Sequence, residues 1–367
     1  MLALRFAALA VGLVLSLSAG AKAQEALREE RGFLRIKIAG RDVRLEMLTV
    51  RPETASGRLP LALITHGKSP SGLSMSELRA ASYAPLARDL ARRGWLAAVL
   101  VRRGFGQSDG PLPGPAISCD KPDLGARLAT DAEELDIALK ALKERPDVDG
   151  ERVIAIGESA GGAAIMALAQ RKPPGLRAVI NVSGGLMQGD CPGPAGDSLV
   201  AMVGSWTGKD VAPQLWLYAK NDDLFPPPLV DRMRTKALDG GLDLRFVELP
   251  EIKPNGHLIF RSVQARFIWQ REMDASLRAW KLPTWPAERA RTAYATLGLT
   301  SRADVFERYF SAPGEKALAY SKDKKLFRYR FGSADMAAAQ RGALDDCAKA
   351  ASDCIIAFKN DRDVGNE

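Results

Sequence analysis

The stretch from residue 152 to residue 170 constrains this chain more than any other. Arg152, Val153, Ile154, Ala155 and Ile156 form an apolar, β-branched run with the length of a buried strand. Gly157-Glu158-Ser159-Ala160-Gly161 follows, and residues 162–170, rich in alanine, read as a helix. Strand, GxSxG turn and helix in that order predict a nucleophile elbow. So tight a turn leaves no room for side chains two positions either side of Ser159, hence the two glycines. It also sets the serine oxygen at the start of a helix, where N–H groups and the helix dipole favour negative charge.

The rest of the chain alternates around that stretch. Residues 33–38 and 43–48 alternate apolar and polar positions across the turn residues Ala39, Gly40, Arg41 and Asp42, the pattern of a β-hairpin. Residues 24–30 are polar and read as a frayed lead-in. Buried-type strands follow at 61–64, 95–101, 152–156, 177–183, 213–218 and 242–249. Helical patterns lie between them at 75–93, 124–144, 162–170, 198–209 and 226–238. Such alternation implies an α/β fold, a mostly parallel sheet covered on both faces, with chemistry on loops at the carboxyl ends of strands. Composition changes after Pro283-Thr284-Trp285-Pro286. Two short helices, two strands around a Lys/Asp turn, a helix from 333 to 351 with Ser333 as N-cap, and a last strand at 354–358 make a small α+β C-terminal module. The expected division is a signal peptide at 1–23, a main domain at 24–285 and the module at 286–367.

Residues 1–23 have the plan of a secretory leader: Arg5, an apolar stretch from Phe6 to Leu17, and an Ala21-Lys22-Ala23 cleavage site. The apolar run is too short for a membrane span. The mature chain is therefore expected to be exported, periplasmic or secreted, with no stable membrane insertion. Cys119, Cys191, Cys347 and Cys354 all lie in the mature part, and an even count in an exported protein suggests disulfides. Cys347–Cys354 is the favoured pair, flanked by a helix and a strand near the C-terminus. Cys119–Cys191 follows by elimination, and free, inert thiols are the alternative. No cysteine sits near a histidine pair, so no metal is expected. A net charge of +8 is spread along the chain, without a basic block or aromatic-basic interleaving, so nucleic acid is not an expected partner. Oligomeric state is not readable.

A serine hydroxyl needs a base, and the base needs a carboxylate. The chain has only 2 histidines. His257 follows the last strand of the main series and can act as base. His66 ends an earlier strand, where an oxyanion loop is expected. Asp222 and Asp223 follow the strand in between, and either can supply the carboxylate. Backbone N–H donors for an oxyanion are expected from Ala160 and from Gly67 or Lys68. Lys68 can also present charge to a substrate, and Glu158 can sit at the rim or pair with Arg102 or Arg103. The loops at 111–123 and 184–196, at the same rim, are read as a lid that a Cys119–Cys191 bridge would stiffen.

At these residues the chain resembles the α/β-hydrolase superfamily, close to its dienelactone hydrolase-like and serine esterase or peptidase-like branches. The resemblance covers about residues 30 to 280. It rests on His66-Gly67, Arg103-Gly104-Phe105-Gly106-x-Ser108, Gly157-x-Ser159-x-Gly161, Asn221-Asp222 and Gly256-His257. Dienelactone hydrolases proper carry cysteine as nucleophile, and Ser159 departs from them. The resemblance implies the order Ser…Asp…His. Its usual acid loop, Ala219-x-x-Asp222 followed by an apolar residue and Pro226, selects Asp222 over Asp223. The function expected is hydrolysis of a small-molecule ester without a cofactor. A peptidase, amidase or acyltransferase on the same residues, and a catalytically silent binding protein, are the alternatives.

Overall fold

The computed structural model describes residues 27–68, 75–112, 114, 118, 123–186, 195–260, 262–285 and 287–365. Cys119, Cys191, the leader at 1–23 and much of the two expected lid loops lie outside them.

The chain opens with a hairpin of β1 (Leu27–Ile38) and β2 (Arg41–Pro52), turned through Ala39 and Gly40 at φ 48° and 77°. Two consecutive positive φ values match the twist of the flanking strands. β1 includes residues 27–30, expected as a frayed end; their register with β2 and an ion pair between Glu29 and Arg88 tie them down. Next come β3 (Leu59–Thr65), α1 (Ala84–Arg92), β4 (Leu96–Leu100), α2 (Leu124–Lys143), β5 (Val148–Glu158), α3 (Ala160–Gln170), β6 (Leu176–Val182), α4 (Ala195–Gly204), β7 (Gln214–Ala219), α5 (Pro227–Asp239), β8 (Leu244–Leu249) and α6 (Val263–Ala279).

The expected single helix at 75–93 is instead two 3₁₀ turns, Met75–Glu77 and Ala80–Tyr83, before α1. Pro85 suits a first helical turn and not an interior, so the α-helix begins beside it. The buried Glu46 carboxylate also accepts the Ala80 N–H at 2.8 Å and holds that stretch out of a helix. α4 likewise ends at Gly204, short of the expected 209.

The sheet has 8 strands in the order β1-β2-β4-β3-β5-β6-β7-β8. From β4 across to β8 every neighbour is parallel, and β2 joins antiparallel. Helices α2, α3, α4 and α5 pack on one face, and α1 and α6 on the other. Strand interiors such as Leu61, Ala62, Leu63 and Ile64 are therefore apolar at every position rather than at alternate ones. β5 is central, between β3 and β6, and its carboxyl end delivers Ser159.

The C-terminal module holds α7 (Ala287–Thr296), α8 (Ala303–Ser311), β9 (Ala317–Ser321), β10 (Leu326–Arg330), α9 (Met336–Ala348), β11 (Cys354–Lys359) and β12 (Arg362–Asp363). Its sheet is antiparallel, in the order β10-β9-β11-β12. Phe306, Tyr309 and Phe310 of α8 pack on one face with Phe327 and Phe358. Alanines 339 and 343 of α9 pack on the other against Ala317 and Ala319. The N-cap of α9 is Asp335, not Ser333: its side chain accepts the Ala338 N–H at 2.7 Å. A disulfide joins Cys347 to Cys354.

The module meets the main sheet's outer layer through buried charge. Arg93 forks onto Asp274 at 2.7 and 2.8 Å and reaches the Ser311 carbonyl at 3.3 Å. Asp89 accepts from Gln270 Nε2 at 3.1 Å and from the Gly314 N–H at 3.0 Å. Lys316, buried, gives its ammonium to the carbonyls of Tyr309, Phe310 and Ala312 and pairs with Asp361. Among the described residues no helix is long and apolar enough to cross a membrane, and no cluster of ligands fits a metal.

Candidate active site

Ser159 stands between β5 and α3 at φ 53° and ψ −124°, a region that L-residues rarely occupy. The surrounding structure enforces it. The Ser159 N–H donates to the Val182 carbonyl, and its own carbonyl accepts from Ala163 and Gly185, each at 3.0 Å. A Cβ on Gly157 would lie 2.3 Å from the Gly161 carbonyl oxygen, and one on Gly161 would lie 2.4 Å from that of His66. Neither position tolerates a side chain without moving backbone.

Two further strand ends bring partners to the serine. After β8 the chain runs to Gly256 and His257, whose Nε2 is 3.0 Å from Ser159 Oγ. After β7 comes Asp222, whose two carboxylate oxygens both lie 3.1 Å from His257 Nδ1. Asp222 is buried, and its Oδ1 also accepts the N–H groups of Leu224 and Phe225 at 3.0 Å. The Phe225 ring packs 5.4 Å from the His257 ring, centroid to centroid. Asp223, the alternative carboxylate, is exposed. A carboxylate on Nδ1 puts that proton there and leaves Nε2 as an acceptor facing the serine hydroxyl. The arrangement can draw a proton from Ser159.

Asn221 clamps the two loops together. Its Nδ2 donates to the Ile252 carbonyl, its Oδ1 accepts the Ile252 N–H, and its carbonyl accepts the Gly256 N–H. Asn255 then accepts the His257 N–H at 2.8 Å. The sequence marks Asn221 only as a neighbour of Asp222; its clamping role depends on where residues 252–257 return.

The loop after β3 lies over the serine. A Cβ on Gly67 would be 2.9 Å from Ser159 Cβ. His66 is buried, its Nε2 accepting the Arg102 N–H at 2.9 Å while Nδ1 donates to the Gly67 carbonyl at 2.6 Å. Those bonds fix the neutral Nδ1-H tautomer. They also turn the Lys68 N–H, on the same peptide unit as the Gly67 carbonyl, away from the ring. The Lys68 side chain is exposed. Ala160 opens α3, so its N–H has no acceptor within the helix. Arg102 and Arg103, considered as partners for Glu158, pair with Asp131 and Glu134 of α2. Ser108 of the glycine-rich turn bonds within the scaffold, to the Val101 carbonyl and the Glu46 N–H. Cys347 and Cys354 sit in the module.

Residues 78–236, which run from before α1 to within α5 and include the elbow and Asp222, match the family model described as serine aminopeptidase, S33. The fold is that of an α/β-hydrolase. Among solved structures, the chain superposes on a Klebsiella pneumoniae protein assigned as a dienelactone hydrolase, with 18% identity, 68% of this chain and 97% of that chain covered, and a TM-score of 0.47. It superposes on the Pyrococcus furiosus esterase Pf2001 with 15% identity, 68% and 89% coverage, and a TM-score of 0.45. For Thermogutta terrifontis esterase 2 the figures are 13%, 70% and 96%, and 0.47. No curated protein matches the chain by sequence.

Proposed function

We propose that this chain is an exported serine hydrolase that cleaves a carboxylic ester through an acyl-enzyme. Ser159 Oγ attacks the acyl carbon while His257 Nε2 takes its proton. Asp222 fixes the imidazole tautomer and stabilises the cation that forms. The tetrahedral oxyanion is held by the Ala160 N–H and by a donor from the Gly67–Lys68 segment. With the Gly67 carbonyl held by His66, the Lys68 N–H is the one we assign. Each such donor lowers the barrier by roughly 3 kcal/mol. His257 then protonates the leaving alcohol, and a water activated by the same base releases the acid.

The observation that carries this reading is the unbroken series from Asp222 through His257 to Ser159 at hydrogen-bond distance. The family match supports hydrolysis, and its description as an aminopeptidase favours one second reading, cleavage of an amide on the same residues. Export rests on the leader pattern at 1–23 and accords with the Cys347–Cys354 disulfide.

A fluorophosphonate probe tests the nucleophile. Labelling at Ser159 that vanishes in Ser159→Ala and drops sharply in His257→Ala is the expected result. A folded protein that takes no label would instead be a silent binder. Matched ester and amide substrates separate esterase from peptidase. N-terminal sequencing of the exported protein should begin at Gln24.

A further inference from the structure

The polar groups beneath the nucleophile reach further than the serine, histidine and aspartate. Tyr218, the penultimate residue of β7, is 2% exposed, and Asn181 of β6 is 0% exposed. The Tyr218 hydroxyl accepts from Asn181 Nδ2 at 3.0 Å and donates to the Gly184 carbonyl at 2.6 Å. In a trans peptide the C=O and the following N–H point in opposite directions. A Gly184 carbonyl held from below therefore sends the Gly185 N–H the other way, and it donates to the Ser159 carbonyl at 3.0 Å. The same rule applies once more: a Ser159 carbonyl held from behind sends the Ala160 N–H toward the face where Ser159 Oγ stands.

We propose that Tyr218 is a positioning residue for the Ala160 oxyanion donor, acting through two peptide groups in series. The proposal rests on the hydrolase reading above. The local packing is built for it. A Cβ on Gly184 would lie 1.9 Å from Asn181 Oδ1, so only glycine lets that carbonyl approach the phenol. Asn181 occupies a lone pair of the phenol oxygen and so turns its O–H toward Gly184. In a buried, low-dielectric interior, aligned hydrogen-bonded dipoles strengthen one another, and here the last dipole in the line ends at the proposed oxyanion position. Ala163 also holds the Ser159 carbonyl, but along the helix axis; Gly185 supplies the contact from the side of the sheet. Burial pushes the Tyr218 phenol well above its ordinary value, so it stays a neutral donor over the working range.

The test uses the full mature chain and Tyr218→Phe, which keeps the ring and removes the hydroxyl. On a p-nitrophenyl ester, kcat should fall about tenfold with KM within about twofold, because the loss falls on the transition state alone. Affinity for a trifluoromethyl ketone, which forms the oxyanion on binding, should fall by the same factor. Phe246→Leu is the structural control. Phe246 stacks on Tyr218 at 6.2 Å, so this variant loosens the ring and leaves the hydroxyl; it should lower the unfolding temperature and keep kcat. If Y218F does not fold, Asn181→Ser frees the phenol to rotate and should lower kcat about threefold at constant KM. Wild-type kcat in folded Y218F (or in N181S where that variant replaces it), or an equal loss of kcat in F246L, overturns the proposal while Ser159 still labels. Absence of labelling in the wild type overturns the hydrolase reading and this proposal with it.

Discussion

Asp222→Asn is the substitution whose outcome the geometry dictates most fully. The asparagine has the size of the aspartate, so the buried acid loop keeps its packing. Its amide orientation is forced: Oδ1 must stay where the N–H groups of Leu224 and Phe225 converge, each at 3.0 Å. The NH₂ group then takes the Oδ2 position, 3.1 Å from His257 Nδ1. Oδ1 also lies 3.1 Å from Nδ1, but its two lone pairs already take the Leu224 and Phe225 N–H groups. The amide NH₂ therefore sets the ring, Nδ1 becomes an acceptor and the ring proton moves to Nε2. There it faces Ser159 Oγ at 3.0 Å and donates to the hydroxyl it should deprotonate. Loss of the correct tautomer costs about 10⁴ in kcat, or roughly 5.4 kcal/mol of barrier. Steady-state hydrolysis of an activated ester measures the loss, and circular dichroism with a thermal melt shows that the fold is retained. Asp223→Asn, at an exposed side chain, should stay within about twofold of wild type. A folded D222N enzyme within tenfold of wild type, or a D223N enzyme that is the inactive one, would refute the assignment.

Three further outcomes concern the frame. Arg93→Ala leaves Asp274 as an uncompensated buried charge, the two side chains being 1% and 2% exposed; urea unfolding should show a loss of about 3–5 kcal/mol, and less than 1 would mean that water reaches the seam. Cys347→Ser with Cys354→Ser opens a bridge of sequence separation 7; chain entropy puts the loss near 2.5 kcal/mol, read as a lower unfolding midpoint of the non-reduced protein. Asp353 accepts the Asp323 N–H at 2.9 Å and the Ser321 hydroxyl at 2.5 Å, which hold its carboxyl below the usual carboxylate range. Its stabilising contribution is complete above about pH 3.9, its unfolded value, and is lost as pH falls through the depressed folded one. Asp353→Asn should flatten that acid limb of unfolding midpoint against pH, and an unaltered limb would contradict the sign.

The parts of the fold that the sequence makes legible are those set by local pattern. Apolar runs at 61–64, 152–156 and 213–218 cannot be exposed, and helices between them require parallel neighbours; the sheet order agrees. The parts that stay hidden depend on distant partners. Residues 75–83 have helical periodicity, yet the Glu46 carboxylate accepts the Ala80 N–H and Pro85 sets where α1 begins. Residues 27–30 look polar enough to fray, yet β2 supplies their ladder. The module's own elements are readable, but the Arg93–Ser311 and Asp89–Gly314 contacts that dock it link residues 218 and 225 positions apart, beyond any sequence window.

The site divides along the same line, and the division has a physical cause. Ser159, Asp222 and His257 are visible because each stands in a loop with a recognisable pattern. The residues that hold the backbone around them stand within or just beyond strands: His66 after β3, Arg102 after β4, Asn181 in β6 and Tyr218 in β7. Each interrupts an apolar run near its carboxyl end. In a sheet buried on both faces a polar side chain must find a partner or destabilise the fold. Three of these four find a backbone carbonyl at a strand end: His66 takes Gly67 beside it, Arg102 takes His66 at 2.8 Å, and Tyr218 takes Gly184. Asn181 completes the set by orienting Tyr218. A carbonyl held from inside the core sends the N–H of its own peptide unit the opposite way. Polar residues in the last positions of apolar strands therefore carry a signal of their own. On the proposed mechanism, they aim backbone donors at the place where negative charge would develop, and they do so from beneath the surface that a substrate would touch.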